Sequence, residues 1–283
     1  LNYLEKFQLY LEIEKNFSHN TVSAYLSDIQ QFFRFINKTP EKIVPDDISA
    51  FLVNLHMKGV SVATANRKLS AIKTFFNVML RKGIIDQNPA ALIETAKTEQ
   101  RLPHPIDEQT IEKLINAPDN LRDRTIMEIL YATGIRREEL VNIKISDIDL
   151  QEGSLRVIGK GNKERIIPLY PKILMLIKEL IQTHNSKWLF PGRKNNHLST
   201  RQVNDIVKKW AQKIKQENIT PHKFRHSFCS HLYKAGAELK VIQDLAGHAS
   251  PNTTNLYTKV SNTRNRLEYL RFHPHAREKV SNE

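Results

Sequence analysis

The 283-residue chain has a single cysteine, Cys229, so no internal disulfide can staple it and the disulfide-framework class is excluded. A lone thiol fits a reducing compartment, and the cytoplasm is the expected location. No apolar run approaches the roughly 20 residues that a membrane-spanning helix needs. The first residues also lack the charged-then-apolar order of a secretion signal, so no membrane partner is expected. Nine glycines and twelve prolines are too few for a collagen-like or linker-like chain. What the chain does have is 40 % hydrophobic residues, enough for the two cores that its length suggests.

Charge is abundant and unevenly placed. Lys and Arg number 43 against 30 Asp and Glu, a formal net charge of +13 with a pI near 9.7. Residues 1–100 hold 12 basic and 10 acidic side chains, and residues 101–283 hold 31 and 20. So large a positive excess speaks first about partners, and nucleic acid is the commonest. Its concentration beyond residue 100 points to phosphate handling there, although solubility alone is the plainer reading of the same charge.

The first hundred residues read as four helices with short connections, a compact bundle. Leu4, Phe7 and Leu11 form one stripe. Ser18 caps a second helix through Val22, Ile29, Phe32 and Ile36. Asp46 or Asp47 caps a third through Ile48, Phe51 and Leu55, stopped by Gly59; Ser61 opens a fourth through Leu69, Ile72, Phe75 and Phe76, ended by Gly83. Residues 1–88 are thus the first domain, and the proline-punctuated stretch 89–105 reads as a linker. Residues 106–283 form the second domain. Its helices are expected near 107–116, 121–133, 171–183, 200–216, 221–235 and 239–245, with short ones after Pro251 and Asn262. Strands over 154–158 and 164–168 flank the turn Gly159-Lys160-Gly161-Asn162. The fold class is therefore mainly α with a small β-hairpin (α+β).

Three places carry chemistry. Pro221 suits the first turn of a helix capped by Thr220, on which His222, Arg225 and Cys229 share one face and Phe224, Phe228 and Leu232 another. A guanidinium fork beside an imidazole suits the oxygens of a phosphoryl group, whereas a salt-bridged helix with a satisfied histidine is the plainer reading. His222 and His226, with Cys229 and His231 nearby, also allow a zinc site. No acidic residue separates the two histidines, so the His-Glu-x-x-His pattern is missing and no metal is assigned. Tyr257 follows His248 by nine residues, and Ser250 with Pro251 can open a short helix that carries it. A lone tyrosine is usually core or interface. Beside a histidine and an arginine-bearing helix, a phenol can attack phosphorus once its proton is taken.

In this order the motifs resemble those of the tyrosine recombinases, the lambda-integrase family, and within it the Xer subfamily. Ala132-Thr133-Gly134-Ile135-Arg136-Arg137-Glu138-Glu139-Leu140 is similar to the family's first box, whose arginine is Arg136. Val157 to Arg165 resembles the hairpin whose turn lysine is catalytic, here Lys160. His222 and Arg225 match a His-x-x-Arg box, and Leu245-Ala246-Gly247-His248 matches one usually written Leu-Gly-His, with Ala246 at a position where Leu is usual. Cys229 stands where Ala is usual, and Tyr257 takes the nucleophile position. The four-helix first domain looks like the family's core-binding domain, so the resemblance extends over most of the chain.

The resemblance implies a helical core-binding domain, a catalytic domain, and transesterification of DNA without a cofactor. Tyr257 would form a 3′-phosphotyrosyl link, with Arg136 and Arg225 clamping the phosphate. Lys160 would act as general acid, and His222 and His248 would contact the phosphate or the tyrosine. Glu139 would orient its neighbours. Lys163, Arg165, Arg201, Lys208 and Lys209 are candidate phosphate contacts on double-stranded DNA carrying a specific recombination site, held in a clamp of the two domains. The tail, with Leu267, Leu270 and Phe272 as its apolar face, would dock on a neighbouring copy to link a homotetramer around two duplexes; packing on its own domain is the plainer reading. Chromosome dimer resolution of the Xer kind is the leading expectation, favoured by the compact length. A phage or mobile-element integrase, a type IB topoisomerase and a non-catalytic DNA-binding protein are the alternatives.

Overall fold

Serine hydroxyls open two of the four α-helices among the described residues of the first unit. The computed structural model describes residues 2–96, 104–159, 162–247 and 258–277, the last with side chains from Thr263 onward. It divides into Leu1–Leu102 and Pro103–Glu283, each with its own core. Helix α1 (Tyr3–Leu9) runs on into a π-helical turn at Tyr10–Glu14. In α2 (His19–Ile36), the Ser18 hydroxyl accepts the Thr21 N–H; in α4 (Val62–Arg81), the Ser61 hydroxyl accepts that of Thr64. These bonds satisfy donors that a helix start otherwise leaves orphaned. Helix α3 (Pro45–Met57) begins earlier than the sequence suggested. Asp47 sits inside its first turn rather than before it, and its carboxylate reaches back to the Val44 N–H at 3.1 Å. Phe7, Phe32, Phe51, Phe75 and Phe76 meet edge to face in the core, the arrangement their ring quadrupoles favour. Beyond α4, Ala90 is buried in the same core and Ile93 packs against it.

The second unit is arranged around α6. Helix α5 (Glu108–Asn116) is capped by Asp107, and α6 (Leu121–Thr133) starts at Asn120 and ends on Gly134 in the left-handed region. Every residue from Thr125 to Thr133 is buried, so α6 is a helix covered on all sides. A short α7 (Arg137–Val141) precedes an antiparallel sheet of β1 (Ile148–Asp149), β2 (Ser154–Ile158) and β3 (Glu164–Pro168), in that order. The hairpin is the one expected from the sequence, and β1, two residues long, is an addition to it. Leu155 pairs with Ile167 and Val157 with Arg165, so those four positions share the inward face. Helices α8 (Pro171–Gln182), α9 (Thr200–Lys213), α10 (Pro221–Ala235) and α11 (Leu239–Ala246) follow. After the segment 248–257, which lies outside the described residues, come α12 (Thr258–Phe272) and α13 (Pro274–Arg277). No helix among the described residues is long and apolar enough to cross a membrane.

The tail packs on its own unit, and its buried face matches the expected one only in part. Leu267 is 65 % exposed, Leu270 and Phe272 are half-buried against the core, and Tyr269 and His273 are completely buried. The seat is polar and aromatic. His275 Nδ1 lies 2.8 Å from Glu128 Oε1 on α6, Tyr170 donates its hydroxyl to the same oxygen, and His273 Nε2 lies 3.3 Å from the Tyr131 carbonyl oxygen. His273 packs among the rings of Tyr131, Tyr170 and Tyr269. Burial pushes its imidazole down to about 3, helped by the like charge of His275, so it is neutral in the folded chain.

Candidate active site

Helix α10 is held by an apolar face and presents a cationic one. Phe224, Phe228 and Leu232 are completely buried, and burying side chains of this size stabilises by roughly 1.5–3 kcal/mol each. Thr220 Oγ1 accepts the Lys223 N–H at 3.2 Å, and Pro221 occupies the first helical position, where its missing N–H costs nothing. His222 is exposed in the first turn, where the helix dipole favours an anion. Arg225, one turn further, is buried. Its Nη1 donates to the Gly134 carbonyl at 2.7 Å, while its Nη2 is buried without a hydrogen-bond partner among the described residues.

Gly134 supplies that acceptor because nothing larger fits there. It ends α6 at φ 58, and a Cβ on it would lie 2.3 Å from Phe228 Cδ1. The same close approach of α6 to α10 that forbids a side chain at Gly134 lets its carbonyl reach Arg225. Two residues later Arg136 caps α7. Its backbone N–H donates to Glu139 Oε2 at 2.9 Å, and its guanidinium donates through Nη1 to Glu139 Oε1 (3.1 Å) and through Nη2 to the Gly247 carbonyl (3.2 Å).

Glu139 is shared between two arginines. Arg165 grips it with both ends of its fork, Nη1 to Oε1 at 3.0 Å and Nη2 to Oε2 at 2.7 Å, and donates Nε to the Leu245 carbonyl at 2.9 Å. Burial alone would push the Glu139 carboxyl up; the Arg165 fork, with Arg136 behind it, holds it below the usual carboxylate range. Among the described residues Arg225 has no such carboxylate to itself. Burial, then the like charge of Arg136, brings its guanidinium down to about 10. Two cations side by side, with one buried donor unpaired among the described residues, form a seat for an anion.

Of the expected site residues, His222 is exposed at the start of α10. Arg136, Glu139 and Arg225 come together. Lys160, His248 and Tyr257 lie outside the described residues, but the residues preceding the first two are placed: a Cβ on Gly159 would be 3.3 Å from Glu139 Oε1, and one on Gly247 would be 2.8 Å from Arg165 Nη1. Lys163, Arg201 and Lys208 are exposed, as is Lys209, whose Nζ sits 4.3 Å from the Trp210 ring centre. Arg165, expected as a phosphate contact, is turned inward: three of its five N–H groups donate to Glu139 and to the Leu245 carbonyl. Strand alternation held the signal, since Arg165 lies two residues from the inward-facing Ile167. The roles of Gly134 and Gly247 as close-packed acceptors had no signal in the sequence beyond their helix-ending positions.

Comparison with known proteins gives consistent matches. The model of the phage integrase family matches residues 104–264, and that of the phage integrase N-terminal SAM-like domain matches residues 4–83. The tyrosine recombinase XerC of Thermodesulfovibrio yellowstonii is 36 % identical, covering 98 % of this chain and 97 % of its own. The tyrosine recombinase XerD of Staphylococcus haemolyticus is 35 % identical, covering 96 % of this chain and 99 % of its own. Among solved structures, a lambda integrase tetramer bound to a Holliday junction shares the fold with a TM-score of 0.75 at 23 % identity, covering 90 % of this chain and 78 % of that one.

Proposed function

The chain belongs to the phage integrase family of tyrosine recombinases, and from that premise we propose that it exchanges DNA strands through a 3′-phosphotyrosyl intermediate on Tyr257. The Tyr257 phenol oxygen attacks a backbone phosphorus, its proton passes to His222 or His248, and the bond from phosphorus to the 5′-oxygen breaks. The leaving oxygen takes a proton from Lys160 acting as general acid. In the second step the 5′-hydroxyl of the other strand attacks the link and releases the phenol. One ester replaces another, so the reaction needs no nucleotide.

The observation that carries this reading is the buried Arg225, paired once to a carbonyl and otherwise unpartnered among the described residues, beside Arg136. Donors fixed in advance where charge develops on the phosphoryl oxygens are the strongest electrostatic contribution an enzyme commonly makes. We assign His222, at the positive end of α10, to the phosphate as a further donor, and His248 follows the Gly247 carbonyl that Arg136 holds. Lys163, Arg201, Lys208 and Lys209 track the duplex backbone.

The biological role is Xer-type resolution of chromosome dimers in the cytoplasm, by four copies on two duplexes. Full-length similarity to Xer proteins supports the first part, and the exposed Leu267 on α12 supports assembly through the tail. A supercoiled plasmid carrying two copies of a duplex sequence selected by this protein tests the reading. Recombinant circles are expected in buffer containing chelator and no nucleotide. Relaxation of the plasmid without any exchange would instead mean a topoisomerase.

A further inference from the structure

Arg165 touches all three segments of the site, and three of its five N–H groups are spent within the protein. Its fork closes on Glu139 beside α7, its Nε holds the Leu245 carbonyl at the end of α11, and the face of its guanidinium lies against Gly247. A Cβ at Gly247 would come within 2.9 Å of its Cζ, and Gly159, at the end of β2, abuts the same pair. These are the residues that precede Lys160 and His248. A cation on the last carbonyls of α11 also meets the negative end of that helix.

The charge arithmetic gives this placement a consequence. Glu139 Oε1 accepts from Arg136 Nη1 and from Arg165 Nη1, and Oε2 accepts from the Arg136 backbone and from Arg165 Nη2. Of the two side chains, Arg165 holds the carboxylate with a two-point grip and Arg136 with a single bond. Without Arg165 the carboxylate would face Arg136 alone. The geometry that suits a bidentate guanidinium–carboxylate pair would then draw the Arg136 fork away from a phosphate.

We propose that Arg165 is a positioning residue that neutralises Glu139, so that Arg136 keeps its guanidinium available for the DNA phosphate, while anchoring Gly159 and Gly247 at the site. The inference rests on the recombinase reading. It differs from a packing role in one respect: removing the Glu139 charge relieves the loss of Arg165. Gln at position 139 removes that charge and still offers an oxygen to the Arg136 N–H.

The experiment measures covalent capture of a nicked duplex, selected for binding by this protein, at saturating DNA, with duplex affinity measured separately. Arg165→Gln is expected to slow capture about 100-fold, the scale of losing one preorganised donor, with affinity within about threefold of wild type. Glu139→Gln combined with Arg165→Gln is expected to recover at least about tenfold of that loss, the non-additivity of coupled residues. Arg165→Met, which keeps the aliphatic stem, is carried in parallel with the same partner, and circular dichroism selects the folded series. A double variant as slow as the single one overturns the positioning role and leaves the recombinase reading standing. A wild-type chain that binds the duplex and forms no covalent link overturns that reading, and this role with it.

Discussion

The α-carbon of Gly134 faces the ring of Phe228 so closely that a Cβ there would lie 2.3 Å from Cδ1. That contact sets the height of the Gly134 carbonyl, which accepts from Arg225 at 2.7 Å. A helix C-cap, a core phenylalanine and a site arginine are thereby one unit.

Gly134→Ala is expected to destabilise the second unit by about 2–4 kcal/mol, from the left-handed backbone and the clash together. It should slow covalent capture more than that loss of folded protein explains, because the acceptor of Arg225 moves. Pairing it with Phe228→Leu should recover part of the stability. Urea denaturation of the single and double variants measures it, and strict additivity would contradict the contact.

Arg225→Met makes the opposite trade. Removing a buried guanidinium that has one protein acceptor among the described residues should leave stability within about 1 kcal/mol of wild type, since a buried, poorly compensated charge stabilises little. Capture should fall by at least about 100-fold through lost transition-state donors. Melting curves and capture rates on one preparation read both.

The tail seat makes the fold acid-sensitive. His273 titrates near 3 in the folded chain against 6.5 ordinarily, so between those values the unfolded chain binds a proton that the folded chain does not. Stability is therefore full above about pH 6.5 and falls as the pH drops toward 3, by up to about 1.4 kcal/mol per unit. Glu128, held below the ordinary carboxylate range by His275 and Tyr170 against the upward push of burial, adds loss in the same direction as the pH falls through its folded pKa. His273→Phe should flatten the decline between pH 6 and 4 by about one proton in urea titrations, whereas an unchanged slope would place the sensitivity elsewhere.

Glu128→Leu tests the seat itself. It leaves the Tyr170 hydroxyl and His275 buried without their shared acceptor, and the expected cost is about 3 kcal/mol. Equilibrium unfolding of the variant beside wild type gives the difference, and a change near zero would mean that the pair contributes nothing.

Local signals carried most of the fold. The caps at Ser18, Ser61 and Thr220 each accept the bond their chemistry allows, and the apolar faces of α2, α4 and α10 are buried as their spacing requires. What was not legible is long-range. Arg136 and Glu139, three apart, are a visible pair, but the second partner of Glu139 is 26 residues away across a strand pairing. Naming Arg165 as a phosphate contact made no use of its register opposite Val157, which turns it inward. The seating of His275 on Glu128, 147 residues apart, leaves no local trace at all. Nor do Leu267, Leu270 and Phe272 reveal which of them the core takes, because Tyr269 and His273 decide how α12 is turned.

The direct test of the account is where DNA becomes attached. A nicked duplex is reacted with the protein, digested with nuclease and protease, and the peptides are weighed. The account predicts a nucleotide mass on the peptide that carries Tyr257, and none when that residue is Phe. An adduct on another side chain, or one that persists in Tyr257→Phe, would contradict it.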